Sequence, residues 1–174
     1  MSAQRAIFLD RDGTLIVDVG YPRDPEMVEL LPGVEEVLRP LQRDWLLVIV
    51  SNQSGIGRGV ISPEEANAVH DRMISLFREH GVAFAGVYYC PHAPGAHCEC
   101  RKPSPGMLLD AALDLDLDLE QSIMIGDKPS DVEAGRAAGC AEVIRLGGEL
   151  DAVGGTRCSD WYEIGTLSPF STSR

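Results

Sequence analysis

The chain has 174 residues, 44% hydrophobic and 24% charged, with a net charge of −12 from 15 basic and 27 acidic side chains. That length is most simply one domain over 1–174, large enough to bury a core without disulfide staples. The acidic balance argues against a nucleic-acid partner or an anionic membrane surface, because nothing offsets the repulsion of their phosphates.

The first apolar run, residues 6–9, ends at Asp10. It is too short for a secretory leader or a membrane span, so the cytoplasm is the expected compartment. It has the composition of a buried parallel strand. Asp10, Arg11, Asp12, Gly13 and Thr14 follow at its carboxyl end. In an extended chain residues i and i+2 share a face, so Asp10 and Asp12 leave the strand side by side. Adjacent carboxylates repel and are kept together where a cation sits between them or one holds a proton. A calcium loop is a poor match, since the lead-in is strand-like and the twelfth position is Tyr21 rather than Glu.

Further along, residues 33–43 read as a helix with Val34, Val37, Leu38 and Leu41 on one side. A strand over 46–50 runs into Ser51, Asn52, Gln53 and Ser54. The helix over 63–80 carries a capping box of Ser62 and Glu65, with Pro63 in its first position and Gly81 after its end. Strands are expected at 86–89, 122–125 and 142–146, and helices at 105–115 and at 131–138, the latter capped by Ser130 with Glu133. Strands alternating with helices predict an α/β fold, a Rossmann-like doubly wound parallel sheet covered on both faces. Ligands of such sheets bind at the carboxyl ends of the strands. There stand Asp10 and Asp12, then Ser51, then Gly126, Asp127 and Lys128 with Asp131 beyond. The intervals 13–50 and 52–101 are each largely filled by a helix and a strand, which leaves no room for a separate cap domain. The tail is expected to be poorly ordered from about 168.

Cys90, His92, Cys98 and Cys100 place three of the five cysteines and a histidine within one short stretch, 90–100. Tetrahedral Zn²⁺ takes such a Cys₃His set. Pro91, Pro94 and Gly95 mark the stretch as a loop with little core to offer, so a zinc loop is favoured over buried thiols. Four protein ligands leave no open position, which makes the ion structural. His97 could replace His92, and Cys140 and Cys158 read as plain buried thiols.

These residues together resemble the haloacid dehalogenase superfamily of phosphotransferases. The likeness runs from residue 7 to about 146 and carries four motifs in order: Asp10-x-Asp12-Gly13-Thr14, the hydroxyl of Ser51, Lys102, and Asp127 with Asp131. The zinc loop directly before Arg101 and Lys102 narrows this to the branch of heptose-bisphosphate and histidinol-phosphate phosphatases. The resemblance implies a Mg²⁺-dependent phosphomonoester hydrolase with Asp10 as nucleophile and Asp12 as general acid and base. Lys102 and Ser51 would neutralise the phosphoryl oxygens. Mg²⁺ would be held by Asp10, Asp127 and the Asp12 carbonyl, with Asp131 a candidate outer ligand. By the same resemblance Asp18, Val19, Gly20, Tyr21, Asn52, Gln53 and Ser54 line a small sugar phosphate and Arg101 recognises it. Lys128 either orients Asp10 or touches substrate. Nothing in the sequence demands more than a monomer.

Three rivals are weaker. A dinucleotide loop at Gly55, Gly57 and Gly59 needs its third glycine at 60, which is Val60. A phospho-receiver needs neither the zinc loop nor Asp12. A non-enzymatic module built around zinc has no use for the complete acid and lysine set.

Overall fold

The computed structural model describes residues 4–148 and 154–170. Among them six strands form one all-parallel sheet: β1 (Ala6–Leu9), β2 (Leu46–Asn52), β3 (Gly86–Cys90), β4 (Ile123–Gly126), β5 (Glu142–Leu146) and β6 (Thr156–Cys158). Their order is β3-β2-β1-β4-β5-β6, so the chain winds one way from β1 and then the other. The reversal between β1 and β4 opens a crevice at their carboxyl ends, the place where such sheets bind ligands. Asp10 and Asp127 flank it, and the Asp10 N–H donates to the Ile125 carbonyl at 3.0 Å.

Strand alternation divides the core in two. Ile7, Leu9, Leu47, Ile49, Ile123 and Ile125 face helices α1 (Val34–Leu41), α3 (Pro63–Glu79) and α6 (Trp161–Thr166). Ala6, Phe8, Val48, Val50 and Met124 face α4 (Gly106–Leu115) and α5 (Pro129–Ala138). The five expected strands and four expected helices all form. Both bonds of the capping box are made, Ser62 N–H to Glu65 Oε2 at 2.7 Å and Glu65 N–H to Ser62 Oγ at 3.1 Å. No separate cap interrupts the chain: 13–50 holds a 3₁₀ turn, α1 and most of β2, and 52–101 holds the short α2 (Ser54–Gly57), α3 and β3.

Five details depart from expectation. Helix α5 starts at Pro129 rather than 131, with Lys128 at its cap instead of Ser130, because Asp131 turns back to accept the Lys128 N–H at 2.9 Å. The turn α2, strand β6 and helix α6 carry too few periodic residues to stand out in sequence. Helix α6 is held by Asp160, whose carboxylate accepts the Glu163 N–H at 2.9 Å, and by the burial of Trp161 and Ile164. Within the tail expected to be loose from about 168, Phe170 is buried edge-on against Trp45 with ring centroids 6.0 Å apart; residues 171–174 lie outside the described residues.

Candidate active site

The site is built at the crevice from four strand or loop ends. After β1 the chain turns sharply: the Arg11 carbonyl accepts the N–H groups of Thr14, Leu15 and Ile16. Gly13 sits at φ +80°, and a Cβ there would lie 2.4 Å from Asp127 Oδ2, so only glycine lets the two loops meet. The Thr14 carbonyl is fixed from below by the Trp161 indole N–H at 2.7 Å.

Lys102 arrives on the loop before α4 and is almost fully buried. Its Nζ donates to Asp10 Oδ1 at 2.7 Å, Asp131 Oδ1 at 2.6 Å and the Val50 carbonyl at 2.7 Å. Three acceptors match the three protons of an ammonium, so the lysine is fully satisfied. Its backbone is clamped by Asn52, which donates to the Lys102 carbonyl and accepts the Lys102 N–H, both at 3.0 Å. Burial works to raise the Asp10 pKa, yet the Lys102 ammonium outweighs it and holds the carboxyl below its ordinary value. The same partners, Asp10 and Asp131, keep Lys102 above its ordinary value against burial.

Asp127 is the group left short of positive charge. Burial first, and then the Asp10 carboxylate, push it up to about 7. Carboxylate oxygens of Asp10, Asp127 and Asp131 lie within 4.8 Å of one another. Such a cluster of hard oxygen donors, with an excess of negative charge, fits Mg²⁺. Asp131 is a weaker ligand candidate than expected, since Oδ1 is used by Lys102 and Oδ2 by the Lys128 N–H. It reaches both because residue 126 is glycine: a Cβ there would lie 2.3 Å from the Asp131 carboxyl carbon.

Asp12 is tied to the opposite side of the site. Arg11, only 1% exposed, donates from Nε to Asp12 Oδ2 and from Nη2 to Asp12 Oδ1, each at 3.0 Å. Gln53 Nε2 donates to Asp12 Oδ2 and to Ser51 Oγ, both at 2.9 Å, while Gln53 Oε1 accepts from Arg11 Nη2 at 2.9 Å. Beneath them the Arg11 guanidinium carbon lies 5.7 Å from the Tyr89 ring centroid. Burial pushes the Tyr89 phenol up to about 12, and its oxygen is 2.8 Å from His70 Nδ1.

A second cluster lies at the end of β3. Cys90 Sγ is 3.6 Å from Cys98 Sγ and 3.5 Å from His92 Nδ1, which is 3.3 Å from Cys100 Sγ. Ligands about 2.3 Å from a tetrahedral ion are separated by about 3.7 Å for sulfur pairs and slightly less for nitrogen and sulfur. The spacing fits one ion among the four. The exposed His97 is not among them.

The family model for HAD-hydrolase-like proteins matches residues 99–154. The D-glycero-beta-D-manno-heptose-1,7-bisphosphate 7-phosphatase of Vibrio cholerae serotype O1 is 45% identical over 150 residues, covering 82% of this chain and 81% of the relative. The enzyme of the same name from Yersinia pestis is 40% identical over 166 residues, covering 90% and 88%. The chain belongs to the haloacid dehalogenase-like phosphatases. Among solved structures, the D,D-heptose 1,7-bisphosphate phosphatase of B. bronchiseptica, complexed with magnesium and phosphate, superposes with a TM-score of 0.82. It is 32% identical, and the match covers 92% of this chain and 95% of that one.

In this phosphatase the residues expected to line substrate divide into two groups. Asp18, Val19, Gly20 and Tyr21 form an exposed rim: Asp18 pairs with Lys128 Nζ at 3.3 Å and accepts the Gly20 N–H at 2.9 Å. Ser54 and Arg101 are half-buried nearby in sequence to the site, and Arg101 makes one long contact, 3.5 Å, to the His92 carbonyl. Asn52 and Gln53 instead turn inward. The half-buried Asn52 amide is spent on the Lys102 backbone, and the buried Gln53 amide on Asp12, Ser51 and Arg11. Lys128 faces the rim through Asp18 rather than bonding Asp10.

Sequence reasoning passed over Arg11, Trp161 and Arg58. Alternation would point Arg11 away from both aspartates, yet it pairs with Asp12 and Gln53; an arginine set between two acids was the available signal. Arg58 Nη1 donates to the Tyr21 hydroxyl at 2.8 Å and so stiffens the rim.

Proposed function

We propose that this phosphatase removes the 7-phosphate of D-glycero-D-manno-heptose 1,7-bisphosphate through an aspartyl-phosphate on Asp10, as a step toward nucleotide-activated heptose. The observation that carries the chemistry is the meeting of the Asp10, Asp127 and Asp131 carboxylates, two of them paired with Lys102, at the sheet's reversal point. The substrate follows from the activity of the relatives and from a site without a cap.

Asp10, held ionised by Lys102, attacks phosphorus as the ester P–O bond breaks. The leaving oxygen takes a proton from Asp12. Water then attacks the same phosphorus, gives its proton to Asp12, and the bond to Asp10 breaks to release inorganic phosphate. Ser51 Oγ accepts from Gln53, which leaves its own hydrogen free to donate to a phosphoryl oxygen. Lys102 bears the positive charge nearest the nucleophile and neutralises the charge that grows on the equatorial oxygens. Mg²⁺, held by Asp10, Asp127 and the Asp12 carbonyl, would draw in the phosphate and offset the carboxylate repulsion. A capless site admits the slim primary ester and leaves the ring and the anomeric phosphate outside, with Arg101 and the 18–21 rim.

The reading includes one structural Zn²⁺ on Cys90, His92, Cys98 and Cys100, a single domain over 1–174, and a monomer, since one chain supplies every group used. A cytoplasmic setting suits five free cysteines. Among the described residues no helix is long and apolar enough to cross a membrane. The test is phosphorus NMR of the product formed from heptose 1,7-bisphosphate with Mg²⁺ present. The anomeric phosphate should survive; its loss, or a clear preference for histidinol phosphate, would overturn the substrate and leave the phosphatase chemistry standing.

A further inference from the structure

The carboxylate of Asp12 is held by three donors, two from Arg11 and one from Gln53. A carboxylate oxygen has two lone-pair sites. Oδ2 takes both Arg11 Nε at 3.0 Å and Gln53 Nε2 at 2.9 Å and is saturated, whereas Oδ1 takes only Arg11 Nη2 at 3.0 Å. The clamp is itself locked: Gln53 Oε1 accepts from Arg11 Nη2, and the amide's second hydrogen goes to Ser51 Oγ. Both amide hydrogens and the amide oxygen of Gln53 are thus taken up inside the protein, and Arg11, only 1% exposed, persists in the interior because the Asp12 carboxylate answers its charge.

We infer that Arg11 and Gln53 are positioning residues that fix the Asp12 carboxylate, so that its proton exchange with the leaving group and with water passes through Oδ1. This rests on the role given to Asp12 above. The planar guanidinium fork sets the plane of the carboxylate, which a lysine point charge would not do. Gln53 adds registry, tying the acid–base residue to Ser51 on the neighbouring strand. The hydroxyl that faces the phosphoryl group and the carboxyl that faces the leaving oxygen then move as one unit.

The inference is tested by comparing leaving groups. The ratio kcat/KM reports only steps up to the phosphoenzyme, so it isolates proton donation to the leaving oxygen. An alkyl sugar phosphate needs that proton, whereas 2,4-dinitrophenyl phosphate expels a stable phenolate without it. In the Mg²⁺-loaded enzyme, Arg11→Met should lower kcat/KM for the sugar phosphate by about 100-fold, the scale of a misplaced catalytic group. Its loss on the dinitrophenyl ester should be at least about tenfold smaller. Arg11→Lys should recover little, because the fork is lost. Gln53→Leu, which keeps the buried charge pair, should show the same selectivity at about 10-fold and serves if Arg11→Met does not fold. In an Asp12→Asn background neither change should add a further selective loss. Equal losses on both esters from Arg11→Met and Gln53→Leu, beside a selective loss from Asp12→Asn, would overturn the positioning role alone. Equal losses from Asp12→Asn itself would instead overturn the acid–base role on which it rests.

Discussion

Replacing Lys102 by methionine tests the centre of the site without relying on turnover. Lys102 and its partners Asp10 and Asp131 have side chains 2%, 7% and 2% exposed, so all three are effectively out of water. Methionine fills nearly the same volume, which keeps the cavity contribution small. What remains is the loss of the one ammonium shared by two buried carboxylates, with Asp127 close by. Removing one partner of a buried ion pair costs about 3–5 kcal/mol. For a chain of this length each kcal/mol moves the melting temperature by about 2–4 °C, so the variant should melt about 6–20 °C lower. The loss should shrink as pH falls from 8 to 5, because the orphaned carboxylates can take up protons. It should also be at least half recovered by adding Asp131→Asn, which removes one of the stranded charges. Calorimetry of parent, single and double variants with chelator present reads all three quantities. A melting point within about 2 °C of the parent, or no rescue by Asp131→Asn, would refute the idea that Lys102 holds these acids together. Turnover of Lys102→Met with Mg²⁺ should be about 100- to 1,000-fold lower, the scale for one preorganised donor.

Asp127, pushed up to about 7 without metal, binds a proton more tightly in the folded than in the unfolded protein. Its contribution is therefore full below the ordinary carboxylate range and is lost as pH rises through about 7. About 3 pKa units set a ceiling of about 4 kcal/mol, and partial exposure brings this to about 2. The metal-free melting temperature should fall between pH 5 and 8, and stabilisation by Mg²⁺ should grow over the same range; pH-independent melting would contradict this. Gly13→Ala combines a strained φ of +80° with a Cβ 2.4 Å from Asp127 Oδ2. It should displace Asp127 and raise the Mg²⁺ concentration for half-maximal activity by about tenfold, read from an activation curve. Cys98→Ser should lower zinc from about one per chain by elemental analysis, together with thermal stability. Zinc-free native protein of normal stability would remove the structural role of that loop.

The alternation of apolar runs with capped helices settles the parallel sheet from sequence alone, because inner strands buried on both faces, such as β1 and β4, have to be nearly uniformly apolar. Asp10, Asp12, Lys102, Asp127 and the Cys₃His set were legible too, since each belongs to a short charged or thiol-bearing motif: the aspartates at strand ends, the zinc set in the loop that leaves β3, and Lys102 just before a helix start. Strand β6 and helix α6 were not, because three and six residues carry too little periodicity; pairing with β5 holds the strand, and burial of Trp161 under the Thr14 carbonyl holds the helix. Side-chain direction at the second strand end was equally hidden. Asn52 and Gln53 follow Ser51 as polar residues that would suit a sugar, yet both are consumed inside the protein. Sequence determines which groups reach the carboxyl edge of the sheet. Only tertiary structure decides which of them meet substrate and which must first satisfy one another, because a buried donor or charge takes whatever partner the neighbouring strand brings within about 3 Å.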